Sequence, residues 1–427
     1  MGAILLIVFL FLFIFMGIPV AFAVGLASTI VILMFEVVSP TFQARSVIMV
    51  LESFPLLAIP LFVLAGDLMN TGGLSKRLIS FVETLMGSFK ANLAYVTVLA
   101  SCFFAAISGS GPATVAAIGG NVIPEMEKRG YPKDYATGVP TVSGMVGVLI
   151  PPSIPFIMFG LAAEVSVGRL FLAGIGPGIV FALGIAITAR IMYGKLGLAL
   201  PVKPFSFNAF VTAFKEAFLA LLAPIIVLGG IYGGIFSPTE AAAVACLYAI
   251  IVGLIYREFT VSNLIEAFRK ATSTCAMVMS VVAFAGAFGR IVTLEGMPAM
   301  LTNLLTGITE SQVIILLILN VLMLVIGATM DTTAAIIIMT PVLFPIARSF
   351  GIDPTLFGVI MVSNLAIGFI TPPVGYSLFV AGSIANLPIG KVIRAVAPYM
   401  ITVLVVLMLV TFVPAISLTI PRLVFGM

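Results

Sequence analysis

Residues Ile107–Ile118 read ISGSGPATVAAI, set inside a run of membrane-grade apolar residues. The two serines, two glycines and proline near its start suit no lipid-facing helix, because each unpaired backbone group in hydrocarbon costs several kcal/mol. A break at membrane depth needs a partner in protein, water or a bound ion. Whether this one is a hairpin tip or a kink in a crossing decides how every later segment threads the bilayer.

The 427-residue chain is 62% hydrophobic and 8% charged, where soluble domains carry roughly a quarter charged residues. It reads as an all-α polytopic membrane protein embedded in a lipid bilayer. Stretches such as Ala3–Phe15, Ala217–Ile235 and Val396–Phe412 approach or reach the ~20 residues that span a bilayer. The N-terminus lacks the charged region and cleavage site of a signal peptide and is taken as a first span. Cys102, Cys246 and Cys275 lie in apolar segments, which indicates neither a disulfide framework nor a metal site. With no histidine there is no Ser-His triad, no zinc-protease helix and no imidazole relay. With no GxxxxGK[ST] the chain is not an ATP-driven motor. Neither an enzyme nor a nucleic-acid partner is expected.

Spans are expected near 2–17, 20–37, 54–72, 135–165, 170–194, 216–235, 239–256, 272–293, 355–386 and 392–413. Two further apolar segments, 92–126 and 312–347, are interrupted near their middles and are read as re-entrant hairpins. Charge tests that reading. With the N-terminus outside, the inner segments carry Lys76, Arg77, Lys90, Lys128, Arg129, Lys133, Arg190, Lys195, Lys203, Lys215, Arg257, Arg269, Lys270, Lys391 and Arg394. The outer ones carry Arg45, Arg169, Arg348 and Arg422, with Arg290 at the outer end of a span. This is a strong positive-inside bias, and turning either hairpin into a crossing would invert every later loop and spoil it. Ten crossings, two hairpins and both termini outside follow. Pro40–Ser53, Ser75–Phe89 and Pro204–Thr212, with Phe259–Lys270 as a fourth, are expected along the interface.

The halves echo each other. Ile150-Pro151-Pro152 returns as Thr371-Pro372-Pro373 at an offset of 221, shared by Pro177 and Pro398. GPATVAAI (Gly111–Ile118) aligns with MDTTAAII (Met330–Ile337) at 219, and Ala65-Gly66 with Ala285-Gly286 at 220. Five crossings per half is an odd number, so the second half is inserted upside down. Inverted repeats with paired interrupted helices mark a secondary transporter, its site lying where the breaks converge.

The interruptions supply the candidate site. Hydroxyl and freed carbonyl oxygens are hard ligands that suit Na+. The cation candidates are Ser108, Gly109 and Ser110 at the first tip, with Gly327, Thr329, Asp331 and Thr332 at the second. The carbonyls of Leu149, Ile150, Ile370 and Thr371 before the Pro-Pro breaks join them. Asp331, an ionisable group at mid-membrane depth, is a functional candidate by default and also a helix cap. Half-helices starting near Ala113, Ser153, Thr333 and Val374 aim positive ends at the same region, a place for an anion without a buried Arg. Ser110, Gly111, Asp331 and Gly375 complete the substrate-side set. Arg290 and Glu295 are read as snorkelling at a span end, Glu240 as a first-turn helix acid, and Gly229-Gly230 and Gly233-Gly234 as close helix packing.

Ser108–Gly120 (SGSGPATVAAIGG), Leu149–Gly160 (LIPPSIPFIMFG), Asp331-Thr332-Thr333 and Phe369–Gly382 (FITPPVGYSLFVAG) resemble the large membrane (M) subunit of tripartite ATP-independent periplasmic (TRAP) transporters. The resemblance extends along essentially the whole chain. More distantly, the tips resemble those of divalent anion–sodium symporters. The resemblance implies a bacterial inner-membrane subunit that works with a small membrane (Q) subunit and a periplasmic substrate-binding (P) protein. It further implies Na+-coupled uptake of a small organic acid, such as a C4-dicarboxylate, a sugar acid or sialic acid, the last favoured on overall similarity. An elevator motion is implied, with residues 1–90 and 201–310 as scaffold and 91–200 and 311–427 as the moving halves. The chain begins at the first large-subunit span, so the Q partner is expected as a separate polypeptide. The alternatives are a stand-alone Na+/organic-anion symporter and a passive channel.

Overall fold

The computed structural model describes residues 2–39, 41–197, 200–202 and 204–426. Pro40, at the head of the first interfacial stretch, and Lys203, counted among the inner positives, lie outside the described residues. Among the described residues all regular structure is helical. Helices α1 (Gly2–Phe15) and α2 (Val20–Phe35) pair, and α3 (Thr41–Leu51) is a largely exposed segment where an interfacial one was expected. Then come α4 (Ala58–Thr71) and α5 (Leu74–Met86), the latter over the second expected interfacial stretch.

The first hairpin rises as α6 (Asn92–Ser108) and returns as α7 (Gly111–Thr114), a π-helical turn (Val115–Gly119) and α8 (Gly120–Lys128). Its open end is closed by Tyr131, whose hydroxyl donates to Asn92 Oδ1 at 2.9 Å. The first broken span is α9 (Lys133–Ser143), a 3-10 turn (Gly144–Val148), the Pro-Pro break and α10 (Ile154–Ala162). A long α11 (Val167–Lys195) ends the first half.

The second half repeats this order with α12 (Phe207–Tyr232), α13 (Pro238–Ile255), α14 (Val261–Leu294) and α15 (Met297–Ile308). Its hairpin is α16 (Gln312–Thr329) and α17 (Thr332–Ser349), and its broken span α18 (Pro354–Gly368) and α19 (Tyr376–Ala385). Helices α20 (Ile389–Phe412) and α21 (Ala415–Phe425) finish the described chain. Among the described residues, eight helical stretches are long and apolar enough to cross a membrane, and both α16 and α17 are among them. Length therefore does not separate a hairpin arm from a crossing. Gln312 Nε2 donates to the Phe350 carbonyl at 3.3 Å, placing the two open ends of this antiparallel helix pair together.

Several local expectations need correction. Pro204–Thr212 and Phe259–Lys270 are not separate interfacial pieces: both run into the helices that follow, α12 and α14. Neither 208–223 nor 261–285 contains a proline or glycine to stop the helix. The helices α15 and α21 were not foreseen, being short apolar pieces beside Pro298 and Pro414. Gly230 and Gly234 serve the turn after α12 rather than helix packing: a Cβ at Gly230 would overlap the Phe236 ring, and Gly234 has φ +69°. Glu295 does more than snorkel, since its Oε2 accepts from the Ala3 amide at 3.2 Å and holds the start of α1. Glu240 is the helix acid expected, in a reciprocal capping box with Ser237.

Helix α4 is the hinge of the packing. It lies antiparallel to α14, with Cys275 Sγ 3.8 Å from the Pro60 carbonyl and Lys270 Nζ 3.5 Å from Asp67 Oδ1. Cys246 Sγ on α13 donates to the Leu61 carbonyl at 2.9 Å. The three cysteines are free.

Candidate functional site between the hairpin tips and the broken helices

The first tip turns on Gly109. It ends α6 in the left-handed region at φ +60°, where a side chain is strained. The extended Ser110 follows and caps α7, its Oγ accepting from Ala113 N at 3.5 Å. Ser108 Oγ lies 3.1 Å from Thr114 Oγ1, which itself donates to the Ser110 carbonyl at 2.8 Å. The oxygens of Ser108 and Ser110 are thus held in one small array, and Thr114 is a member that the sequence reading missed.

At the second tip α16 ends on Thr329, whose hydroxyl donates back to the Ile326 carbonyl at 2.8 Å. Asp331 caps α17: Oδ2 accepts from Thr333 N at 2.9 Å and from Ala334 N at 3.4 Å. Thr332 points its hydroxyl to the Leu365 carbonyl at 3.0 Å.

Each tip is tied to the break of its own half by one equivalent backbone bond. Ile154 N donates to the Gly109 carbonyl at 3.3 Å, and Val374 N donates to the Ala328 carbonyl at 3.2 Å. Both Pro-Pro peptide bonds, Pro151-Pro152 and Pro372-Pro373, are cis. The halves meet at Gly111, where a Cβ would lie 2.9 Å from the Phe369 ring and 3.2 Å from the Gly144 carbonyl. Helix α17 packs on α10, so each hairpin also reaches the broken span of the other half. Four interruptions converge here.

Not every candidate points into that convergence. The Leu149 carbonyl is turned toward α11, where a Cβ at Gly174 would overlap it, and the Gly327 carbonyl lies against Gly368. These two are spent on close helix approach. Ile150 packs its side chain on Gly178, and its amide bonds to the Val146 carbonyl at 3.2 Å. Ile370 is buried, and the Thr371 hydroxyl bonds to the Ile367 carbonyl at 2.8 Å. Ser153 is fully buried, and its hydroxyl donates to the Val148 carbonyl at 2.6 Å while accepting from Phe156 N. With the Ile154 amide on Gly109 and Pro155 having none, the start of α10 offers an anion little. The half-helix expected near Val374 is α19, which begins two residues later at Tyr376, after Gly375 in the left-handed region at φ +52°. The starts of α7 and α17, at Ser110–Ala113 and Asp331–Thr333, remain the polar ends closest to the two tips.

The sequence reading also passed over a buried polar cluster behind the second tip. Asn364 Nδ2 donates to Asn320 Oδ1 at 2.7 Å, and Thr411 Oγ1 lies 3.3 Å from the same oxygen. It pins α16, α18 and α20 together. The isolated amides in LLILNVLML (316–324) and IMVSNLAIG (360–368) were the available signal.

Paired hairpins, paired broken helices and an inverted repeat define a multi-pass membrane transport protein. The comparisons agree. Residues 7–416 match the family model described as tripartite ATP-independent periplasmic transporter, DctM component, and the chain belongs to that family. It is 43% identical over 94% of its length to the isethionate TRAP transporter permease protein DctMQ of Oleidesulfovibrio alaskensis, and spans 64% of that longer relative. It is 40% identical to the C4-dicarboxylate TRAP transporter large permease protein DctM of Pseudomonas aeruginosa, covering 94% of each. It is 35% identical to the sialic acid TRAP transporter large permease protein SiaM of Vibrio cholerae, covering 96% of each. Among solved structures, the Alcanivorax borkumensis YdaH transporter shares the fold with a TM-score of 0.63 at 18% identity, over 90% of this chain and 89% of that one.

Proposed function

We propose that the chain is the large membrane subunit of a Na+-coupled TRAP transporter, importing a small organic acid handed over by a periplasmic binding protein. The observation that carries this is the matched pair of tip-to-break bonds, Gly109 to Ile154 and Ala328 to Val374, inside a chain of this family. Na+ would sit on tip oxygens, with Ser108 and Ser110 on one side and Thr329, Asp331 and Thr332 on the other. The acid's carboxylate or sulfonate would face the starts of α7 and α17, where amide dipoles favour an anion.

The relatives' names span isethionate, C4-dicarboxylate and sialic acid. Their common chemistry is a small organic anion, and the second hydroxyl-rich tip does not by itself select one. Sialic acid, favoured on overall similarity alone, stands behind the broader class. A small Q-type membrane subunit completes the assembly, which resides in the bacterial inner membrane. On this reading the elements of 91–200 and 311–427 move as the elevator against 1–90 and 201–310.

Uptake into liposomes holding the reconstituted complex, with candidate binding proteins and acids, tests the function. Accumulation should require both the binding protein and an inward Na+ gradient. Ser110→Ala, which removes one tip oxygen and a cap of about 1 kcal/mol, should lower the rate severalfold. Uptake without a binding protein would favour a stand-alone symporter, and uptake indifferent to Na+ would favour a passive channel. Orientation has a separate check: single cysteines at Lys128 and Arg257 should label from the cytoplasm and one at Asp353 from the periplasm. The reverse pattern would overturn the ten-crossing threading.

A further inference from the structure

Helix α19 leaves one face open where its counterpart in the first half is covered. Tyr376, Phe379 and Ser383, spaced i, i+3 and i+7, are exposed, and so are Pro372 and Pro373 just before them. The positions matched to Tyr376 and Phe379 at the offset of 221, Pro155 and Met158, are buried where α10 packs on α17 and α4. A lipid-facing surface would not carry the irregular backbone of a break, whose polar groups need protein or water as partners. The open face of α19 therefore borders water that reaches the second break.

Tyr376 stands where that face meets both tips. Helix α19 packs along the returning arm of the first hairpin, touching α7 and α8, and a Cβ at Gly119 would lie 3.8 Å from Ile384 Cδ1. Eight residues back from that contact on each side (119 to 111, 384 to 376) bring Gly111 and Tyr376 to one level, ~12 Å nearer the tips. From there the Tyr376 phenol is within electrostatic reach of the Asp331 carboxylate. Its side chain is thus at the start of α7 on one side and beside the second tip on the other. Tyr376 is 41% exposed, and among the described residues its hydroxyl has no hydrogen-bond partner. Those of Tyr131, Tyr135, Tyr248 and Tyr256 each donate to one.

We propose that Tyr376 determines which acid the site accepts: its hydroxyl donates to an oxygen at the far end of a compact acid with two polar groups, a dicarboxylate or a hydroxysulfonate. The first group of such an acid faces the amides at the starts of α7 and α17. A phenol beside a carboxylate serves as a donor, so it selects an acceptor oxygen and gives nothing to a methyl group in the same place. The Tyr376 and Phe379 rings also fill the open end of the site, which excludes a bulky sugar acid such as sialic acid. The inference rests on the organic-acid reading above and narrows its substrate class.

Paired acids test it on the purified complex in Na+, with affinities read from thermal stabilisation. Succinate is compared with butyrate, which lacks the second carboxylate, and isethionate with ethanesulfonate, which lacks the hydroxyl. The wild type should bind the two-headed member of at least one pair more tightly. Tyr376→Phe keeps the ring and should keep the melting temperature without acid. It should weaken that member about 10-fold, the effect of losing a hydrogen bond to a charged group, and leave its one-headed partner unchanged. Tyr376→Ala should in addition admit sialic acid. Equal weakening of both members, or no change in either, would overturn the role of the hydroxyl. Wild-type binding of sialic acid alone would overturn this inference and leave the organic-acid reading standing. No response to any of these acids would overturn both. Accessibility gives a second readout: with Cys102, Cys246 and Cys275 replaced by Ser, Tyr376→Cys should react with a water-soluble thiol reagent, more slowly when Na+ and the preferred acid are present. A cysteine there that never reacts would place this face against lipid and overturn the proposal.

Discussion

Replacing Asp331 by Asn is expected to reduce Na+-driven uptake by about 10–100-fold while leaving the protein folded and inserted. The carboxylate does two things that this substitution separates. Its Oδ2 caps α17 through the amides of Thr333 at 2.9 Å and Ala334 at 3.4 Å. Asn and Asp are comparable at an N-cap, so Asn keeps that role. The negative charge is lost, and interactions of a charged group are worth about 1.5–3 kcal/mol, or one to two decades in an equilibrium constant. Asp331→Ala loses the cap as well and should cost a further ~1 kcal/mol of stability. Thermal unfolding and uptake measured on both variants decide the matter. If both transport at the wild-type rate, Asp331 is a structural cap and the cation assignment is wrong.

Gly109→Val should be the most damaging substitution at the tips, destabilising by about 2–5 kcal/mol and abolishing uptake. Two independent reasons combine. At φ +60° a β-branched residue is strained by about 1–2 kcal/mol. Its Cβ would also lie 2.7 Å from the Pro152 carbonyl, an overpacking of about 1–3 kcal/mol. Relief requires the tip to leave the break, which breaks the Gly109–Ile154 bond. Gly120→Val is the control, because a Cβ there meets nothing within 4 Å. Equal melting temperatures and uptake for the two variants would show that the tip is not tied to the break.

Glycine, proline and hydroxyl residues interrupting apolar runs made the tips legible, since no other element tolerates them at that depth. The charges made the hairpins legible: the positive-inside count required ends on one side, and the Tyr131–Asn92 and Gln312–Phe350 bonds place them so. Carbonyl direction was not legible. Leu149 and Gly327 looked like Ile370 and Thr371 in sequence, yet Gly174 and Gly368 sit where their oxygens point. Nor could the sequence show that the Ile154 and Val374 amides are spent within their own halves, because that depends on partners some 45 residues away: Gly109 for Ile154, Ala328 for Val374. Asn320, Asn364 and Thr411 escaped notice for the opposite reason. A single amide in a helix leaves the periodicity intact and gives no break to read.

The most direct test of the central claim is the thermal stability of the purified protein titrated with Na+, with K+ at equal ionic strength as reference. A cation bound only by the folded tips stabilises by RT ln(1 + [L]/Kd), about 2.7 kcal/mol at a hundredfold excess over Kd. The wild type should gain stability with Na+ and not with K+, and Asp331→Asn should lose most of that gain. An equal rise with both salts, or an undiminished Na+ rise in Asp331→Asn, would contradict a Na+ site built on Asp331 at the hairpin tips.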